Sequence, residues 1–525
     1  MKQERLPITF VRGPIVSKIG AINNESTPAI GFAYLSGYLR KFGYEPEMVD
    51  AIGEGINRLW PLEKYPGFQA QGLKFDEIIA RIPKDSKVIG FSLMFSSEWP
   101  VARDLITEIR KFFPNALIVG GGEHITSLVE YSLKDCPALD VCVRGEGEQT
   151  LLELIMAYEK TGSFKGVGGT AYLDENNILH LDESPPPRIR KIDEIGWPFW
   201  PDEYLEKFWD SGKSFGVATE KDMPFMVSRG CPYQCTFCSS PNMWTTRYLL
   251  RDVNDVIDEA KNYIKRFGIS SLQFYDLTAI TKKGWIVEFC NKLIQEGIQL
   301  NWSLPSGTRS EALDGESLKL LKETGCNYLV YAPESASLRT LKKIKKKIKL
   351  DQLTESVLEA KRQKLTVRIN LIIGFPEETW TDIFKTMFYG LRMSANGIDE
   401  APLYIFSPYP GTEIFKQLED ENKITLDDDY FLALGALNSS YLSSRIVCFN
   451  PNINARLLGL LRTIFMISNY SVSYLFFPKR IFRTLKNIFS AHENEAVTVL
   501  EHRLRDLIQR KKMVEPELKQ TNSLG

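Results

Sequence analysis

The sequence predicts an α/β protein made of two parallel-sheet domains in series, a doubly wound N-terminal sheet and a partial (β/α)6 barrel, followed by a helical C-terminal tail. Three observations carry that expectation. At 525 residues the chain exceeds the length at which one core stops growing, roughly 250–300 residues, so two or three domains are expected. From residue 6 to about 180, short apolar runs alternate with longer helical patterns, the rhythm of strands joined by crossover helices. From 225 onward six more apolar runs recur with helical segments between them, as β/α units in series require. With 43% hydrophobic and 25% charged residues the composition is that of an ordinary globular chain. The 65 Lys+Arg balance 66 Asp+Glu, so no global charge marks a nucleic-acid partner, and none is expected.

The elements follow in order. In the first domain, residues 1–182, ITFV, VIGFSL, ALIVGGG and LDVCVRGEGE are the strand candidates, and the helices begin with AIGFAYLSGYLRKFG. Ligands of doubly wound sheets sit at the carboxyl ends of the strands, which makes 92–95, 120–124 and 144–148 the candidate loops. Residues 183–215 open with ESPPPRIRKIDEIGWPFWPDE, a Pro- and Trp-rich stretch that reads as an extended connector. The barrel, 216–430, takes its six strands from 224–228, 272–276, 298–304, 327–332, 367–375 and 402–407. The run KKIKKKIK at 342–349 reads as a solvated helix face. In the tail, 431–525, the segment 455–490 holds six Lys+Arg and no acidic residue. Its longest uncharged run, 463–478, is sixteen residues, short of the ~20 a membrane span needs. It reads as an element lying on a membrane surface, or else as a helical cap with its basic residues facing solvent. The charged end, from 501, is expected to finish in disorder.

Eight cysteines are few for this length, and the N-terminus lacks the apolar stretch of a signal peptide. A reducing cytoplasm is the expected compartment, where clustered cysteines serve metal or redox chemistry. Cys231, Cys235 and Cys238 form such a cluster, spaced Cys-x3-Cys-x2-Cys directly after an apolar strand. Zinc asks for four ligands, and a structural zinc completed by a distant ligand is the competing reading. Three thiolates suit an iron-sulfur cluster with one iron left open for a small molecule.

The segment SRGCPYQCTFCSS resembles the signature of the radical S-adenosylmethionine superfamily, and Phe237 fits its aromatic position. The resemblance implies a 4Fe-4S cluster on the three cysteines, with S-adenosylmethionine chelated at the open iron. Further matches follow later strands. Tyr275 and Asp276 resemble the loop that meets the methionine amino group, and Arg309 stands where a guanidinium could pair with a carboxylate or phosphate. Glu334 and Ser335 resemble the ribose-binding pair, and Gly374 and Pro376 the element that packs on adenine.

The first domain resembles the cobalamin-binding domain that precedes the radical barrel in one branch of that superfamily. The resemblance implies cobalamin contacts at Asp50, Ser92, Leu93, Gly120, Gly121, Gly122, Glu123, His124, Gly145 and Glu146. A glycine-rich loop in such a fold suits a nucleotide equally well. Where histidine-ligating relatives carry Asp-x-His-x-x-Gly, this chain has Ile52, and His124 follows a different strand, where a hydrogen-bonded turn residue is the simpler reading. Cobalamin is therefore expected with its lower face lacking histidine, an arrangement suited to transfer of a methyl radical.

The resemblance implies an enzyme that generates a 5'-deoxyadenosyl radical from S-adenosylmethionine and methylates an unactivated carbon. Its expected partners are an apolar small molecule, lipid- or tetrapyrrole-like, and an electron donor such as flavodoxin or ferredoxin. Peripheral contact with the inner face of a membrane would run through 455–490. Radical cyclisation or rearrangement without methyl transfer, and a noncatalytic cobalamin and iron-sulfur sensor, are the alternatives.

Overall fold

In the computed structural model the described residues are 5–19, 21, 26–181, 188–213, 215, 220–309, 312–439, 447–489 and five positions between 498 and 508. The expected ending of the chain in disorder lies almost wholly outside them. Short apolar runs form the parallel strands β1 (Ile8–Arg12), β2 (Glu47–Asp50), β3 (Val88–Ser92), β4 (Leu117–Gly121) and β5 (Val141–Val143). An antiparallel hairpin, β6 (Thr170–Leu173) and β7 (Leu179–Leu181), extends the sheet, giving the order β7-β6-β5-β4-β3-β1-β2. The order reverses between β1 and β3, so the crevice at which such folds bind ligands opens at the ends of those two strands. Beside this sheet lies a three-stranded antiparallel layer, Ile15–Lys18, Phe68–Gln71 and Leu59–Pro61, whose strands of three or four residues give no periodic signal.

The second sheet is the expected barrel wall. Its strands β8 (Asp222–Phe225), β9 (Ser271–Phe274), β10 (Asn301–Thr308), β11 (Cys326–Glu334), β12 (Thr366–Ile373) and β13 (Leu403–Ile405) are all parallel and lie in chain order. The third begins at Asn301 rather than 298, because the amide of Ile298 bonds back to Leu293 and closes the preceding helix. Along β12 the burial alternates, and Arg368 and Asn370 keep partial exposure while Val367, Ile369 and Leu371 have none.

The Pro- and Trp-rich stretch is no free linker where it is described. Trp200, Leu205 and Phe208 are fully buried in one cluster with Ala33 and Ile52 of the first domain and the barrel core. These large aromatic side chains fill the join between the two sheets. In the run 342–349 Lys342, Lys343, Lys345, Lys347 and Lys349 are solvated as expected, and Lys346 is the exception. The helix Leu338–Lys343 ends inside the run, the amide of Lys346 bonds back to Leu341, and its largely buried ammonium meets Glu334.

The tail divides. Helix Asp428–Ser439 returns to the first domain, where Asp428 accepts two hydrogen bonds of 2.9 Å from Arg103. Helix Ala455–Phe476 packs against helix Trp380–Ala395 and the last barrel strand, and helix Lys479–Phe489 packs against helix Ala455–Phe476. Three of the six basic residues expected on the solvent face turn inward: Arg462 to the carbonyl of Leu403, Arg480 to Ile398, and Arg483 to Glu501. Among the described residues no helix is long and apolar enough to cross a membrane.

His124 shows how tightly the returning helix is sealed. Its ring stacks 4.6 Å from Trp99 and meets Phe431 edge-on at 5.5 Å. Its nitrogens face Ser96 at 2.9 Å and Ser132 at 3.3 Å. Burial lowers its pKa from 6.5 to about 3, so the folded chain keeps the ring neutral where the unfolded chain would protonate it. Stability from this ring is present above pH 6.5 and is lost as pH falls toward 3. Between pH 7 and 5 that loss should be about 2 kcal/mol. Urea unfolding should show it as a smaller pH-dependent drop in His124→Gln than in the wild type; parallel drops would disprove the neutral, sealed ring.

Candidate active site

The cysteine loop leaves the C-terminal end of β8. Ser228–Arg229 pairs antiparallel with Leu249–Leu250, which pins both ends of residues 230–248. Gly230 takes φ +86°, and a Cβ there would stand 2.3 Å from the carbonyl of Arg247, so only glycine lets the loop turn into Cys231. The amide of Thr236 bonds to Ile344 at 3.0 Å, and that of Cys238 to Cys235 at 3.1 Å.

Cys231, Cys235 and Cys238 are half-buried free thiols. Burial raises Cys235 and pushes Cys238 up to about 12, so these thiols stay protonated until a metal displaces the protons. The side-chain hydroxyls of Thr236 and Ser240, beside the last two cysteines, are buried with no hydrogen-bond partner. Among the described residues no three His, Cys, Asp or Glu side chains gather around one point. A cubane cluster asks for a different arrangement, one thiolate on each of three irons, and three thiols on one pinned loop fit that demand.

Several residues expected to touch S-adenosylmethionine have their side chains engaged by other parts of the chain. Asp276 is fully buried, and its carboxylate accepts from the amide of Val227 at 3.0 Å and the hydroxyl of Ser228 at 2.6 Å. Burial pushes it up to about 6. The strand end at 227–228 needs acceptors for its amides, so Asp276 positions the cysteine loop rather than facing a ligand. Tyr275 lies 4.9 Å from the ring of Phe215. Ser335 is sealed under helix Trp380–Ala395, 2.9 Å from the hydroxyl of Thr386, and so is turned away from any ribose. Arg309 lays its guanidinium 3.6 Å over the ring of Tyr233 and donates to the carbonyl of Lys347, which fixes it against the cysteine loop.

Glu334 sits where β11 breaks register, with φ 65°, and its carboxylate meets the ammonium of Lys346 at 2.9 Å. Burial would pull Lys346 down, but the charge and hydrogen bond of Glu334 lead the opposing effects and the pKa is raised. Lys346 is thus a buried cation beside the cysteines that the sequence hid within a charge run. The loop holding Gly374 and Pro376 is shaped by Glu378, which accepts from the amides of Gly374 at 2.7 Å and Phe375 at 3.2 Å. Asn450 ties the same loop from the tail, donating to Phe375 at 2.7 Å and Glu378 at 2.8 Å. Phe375 in turn lies 5.7 Å from Phe237, joining this loop to the cysteine loop. Asn450 lies outside the sequence motifs, whereas Glu378 lies within the 370–379 motif, where only Gly374 and Pro376 are given a role.

On the first domain, the polar side chains expected at cobalamin are also committed. Asp50 caps the following turn through the amide of Ile52 at 3.0 Å and takes the hydroxyl of Tyr204 at 2.6 Å. Ile52 is buried in the core, and His124 is sealed as described. Glu123 accepts from Ser239, next to Cys238, and burial pushes it up to about 7. Around the end of β3 the edge is glycine-rich backbone with apolar side chains beside it. Leu93 bonds through its amide to Gly121 at 2.7 Å. Gly122 turns with φ +106°, where a Cβ would stand 2.7 Å from the carbonyl of Leu93. Ser92 pairs with Gly121, Gly120 lies against Leu139, and Gly145 donates its amide to Thr126 at 3.0 Å. Met94 and Phe95, just past β3, are exposed, as is Leu277 past β9. A glycine edge with exposed apolar side chains fits a large flat ring such as a corrin.

Glu146, also expected at cobalamin, belongs to the join between the domains. Arg229, two residues before Cys231, donates to Glu146 at 3.1 Å and to Glu148 at 2.7 Å, with all three side chains buried. Burial alone would lower Arg229; the two carboxylates outweigh it and raise the pKa. Asn242 adds a bond of 3.0 Å to Ser127. Arg229→Met should destabilise the chain by about 3–5 kcal/mol, because two buried carboxylates lose their cation. Adding Glu146→Gln and Glu148→Gln should recover part of that in denaturant unfolding; additive losses would contradict a direct ion pair.

Known proteins match this arrangement. A profile of the radical SAM superfamily matches residues 225–389, and one of the B12 binding domain matches residues 20–155. An uncharacterized methyltransferase of Pyrococcus horikoshii is 30% identical over 412 residues, which cover 78% of this chain and 83% of that protein. The anaerobic magnesium-protoporphyrin IX monomethyl ester cyclase of Cereibacter sphaeroides is 27% identical over 79% of this chain and 64% of its own length. The solved structure of the cobalamin-dependent S-adenosylmethionine radical enzyme OxsB, with aqua-cobalamin and S-adenosylmethionine bound, shares the fold. Its TM-score is 0.65 at 16% identity, over 99% of this chain and 80% of that one. This chain belongs to the radical S-adenosylmethionine superfamily, in the branch that carries a B12-binding domain, and its cofactors are a 4Fe-4S cluster, S-adenosylmethionine and cobalamin.

Proposed function

We propose that this chain methylates an unactivated carbon of an apolar small molecule, lipid- or tetrapyrrole-like, with electrons from a flavodoxin or ferredoxin. The observation that carries the reading is the contact of Glu123 with Ser239, which sets the glycine loop of one domain directly against the cysteine loop of the other. When bound, the cluster with S-adenosylmethionine supplies a hydrogen-abstracting radical and cobalamin supplies the methyl group. The chain's own residues orient and enclose. Arg229 and Asp276 fix the cysteine loop, and Glu334, Lys346 and the loop 374–378 shape the side on which S-adenosylmethionine is expected. Exposed Met94, Phe95 and Leu277 at the strand ends support an apolar substrate and exclusion of water from the reacting carbon. Similarity to the methyltransferase of Pyrococcus horikoshii supports methyl transfer. Similarity to the Cereibacter cyclase favours a second reading, ring closure without methyl transfer.

Anaerobic reconstitution of the wild type should load about four irons per chain. Cys231→Ala, Cys235→Ala and Cys238→Ala should each lose the cluster absorbance and the cleavage of S-adenosylmethionine; retained cleavage would refute the assignment. Product analysis separates the two chemistries. S-adenosylhomocysteine formed together with 5'-deoxyadenosine is the expected outcome, and deoxyadenosine alone would reject methyl transfer in favour of ring closure.

A further inference from the structure

The two C-terminal helices present the wrong faces for water. Helix Lys479–Phe489 buries Thr484 and Asn487, which donate to the carboxylate of Glu501 at 2.6 and 2.8 Å. Its outward stripe is Phe482, Leu485 and Phe489, and both phenylalanines are 75% exposed. Helix Ala455–Phe476 is apolar on both sides: it buries Leu458, Phe465 and Met466 together with Arg462, Asn469 and Ser473, and still exposes Leu460, Ile464 and Ile467. Within each helix the exposed apolar residues recur at three- and four-residue spacing, so each set forms one continuous stripe. Single exposed leucines are ordinary; two consecutive helices that each present a stripe of large apolar groups outward, one of them with only polar groups buried, are not.

The charges indicate what meets this surface. The segment 455–490 contains no carboxylate, and Arg456, Lys479 and Lys486 are exposed on it. Apolar stripes bordered by cations and free of acids suit the boundary between acyl chains and anionic headgroups. Among the described residues no helix is long and apolar enough to span, so the contact proposed below lies in the plane of the surface.

We propose that helices Ala455–Phe476 and Lys479–Phe489 lie in the surface of a bilayer that contains anionic lipid, through Phe482, Leu485 and Phe489 together with Leu460, Ile464 and Ile467. The biological reason for that partner rests on the apolar-substrate reading above, while the contact itself stands on the two exposed apolar stripes and the cations beside them. The full chain should co-sediment with vesicles of phosphatidylglycerol and phosphatidylcholine, and at least tenfold less with phosphatidylcholine alone. Phe482→Gln with Leu485→Gln and Phe489→Gln, all surface changes, should lower the binding at least tenfold without altering the far-UV circular dichroism. Lys479→Glu with Lys486→Glu should remove the preference for the anionic vesicles. Failure to sediment with either vesicle, or binding unchanged by the triple variant, would overturn the proposal. So would a dimer in solution that the triple variant splits, because the stripe would then be covered by a second copy. Cleavage of S-adenosylmethionine, measured on the same preparations without vesicles, tests the catalytic reading separately.

Discussion

The buried contact of Arg229 with Glu146 and Glu148 fixes where everything else in the site can be. Arg229 lies at the end of the paired segment from which the cysteine loop springs, and the two carboxylates lie at the start of the helix Gly147–Thr161 that follows β5. One guanidinium therefore registers the C-terminal edge of one sheet on that of the other. An apolar interface of the same size would hold as well, since the desolvation of buried charges offsets much of their attraction. Directional ion pairs differ in admitting few alternative alignments. The ring of Tyr34, 5.0 Å from the same guanidinium, narrows them further.

From that registration follows the closeness of the two loops. Glu123 meets Ser239, Asn242 meets Ser127, and Thr126 approaches Met243. The glycine loop and the cysteine loop thus share a wall, the arrangement needed if a group leaving one cofactor is to reach a carbon activated beside the other. The connector strengthens the same join from behind, with the hydroxyl of Tyr204 on Asp50 and Trp200 buried beneath.

Much of this was legible in the sequence. The six barrel strands and the doubly wound sheet follow from apolar periodicity, and the cysteines from spacing alone. What stayed hidden depends on contacts between residues far apart. Lys346 reads as one lysine among six in a charge run; only the end of helix Leu338–Lys343 turns it toward Glu334. Glu146 reads as a loop residue of a cofactor domain, because nothing local to VRGEGE announces an arginine eighty-three positions away. The hairpin of Thr170–Leu173 and Leu179–Leu181 and the layer of Ile15–Lys18 are too short to show a period.

The residues expected as ligands that became scaffold have a common physical cause. Asp50, Asp276 and Ser335 stand at or just past strand ends, where backbone amides and neighbouring hydroxyls need partners before any ligand arrives. An unpaired buried carboxylate or hydroxyl costs about 1–3 kcal/mol or more, a cost that the hydroxyls of Thr236 and Ser240 beside the cysteines incur and these three side chains avoid. These side chains therefore satisfy the protein, which is why the proposed ligand contacts fall on the glycine edge, the apolar tips and the thiols. Sequence motifs mark the neighbourhood of such a site well. They do not say which member of a motif touches the ligand and which one holds the loop that does.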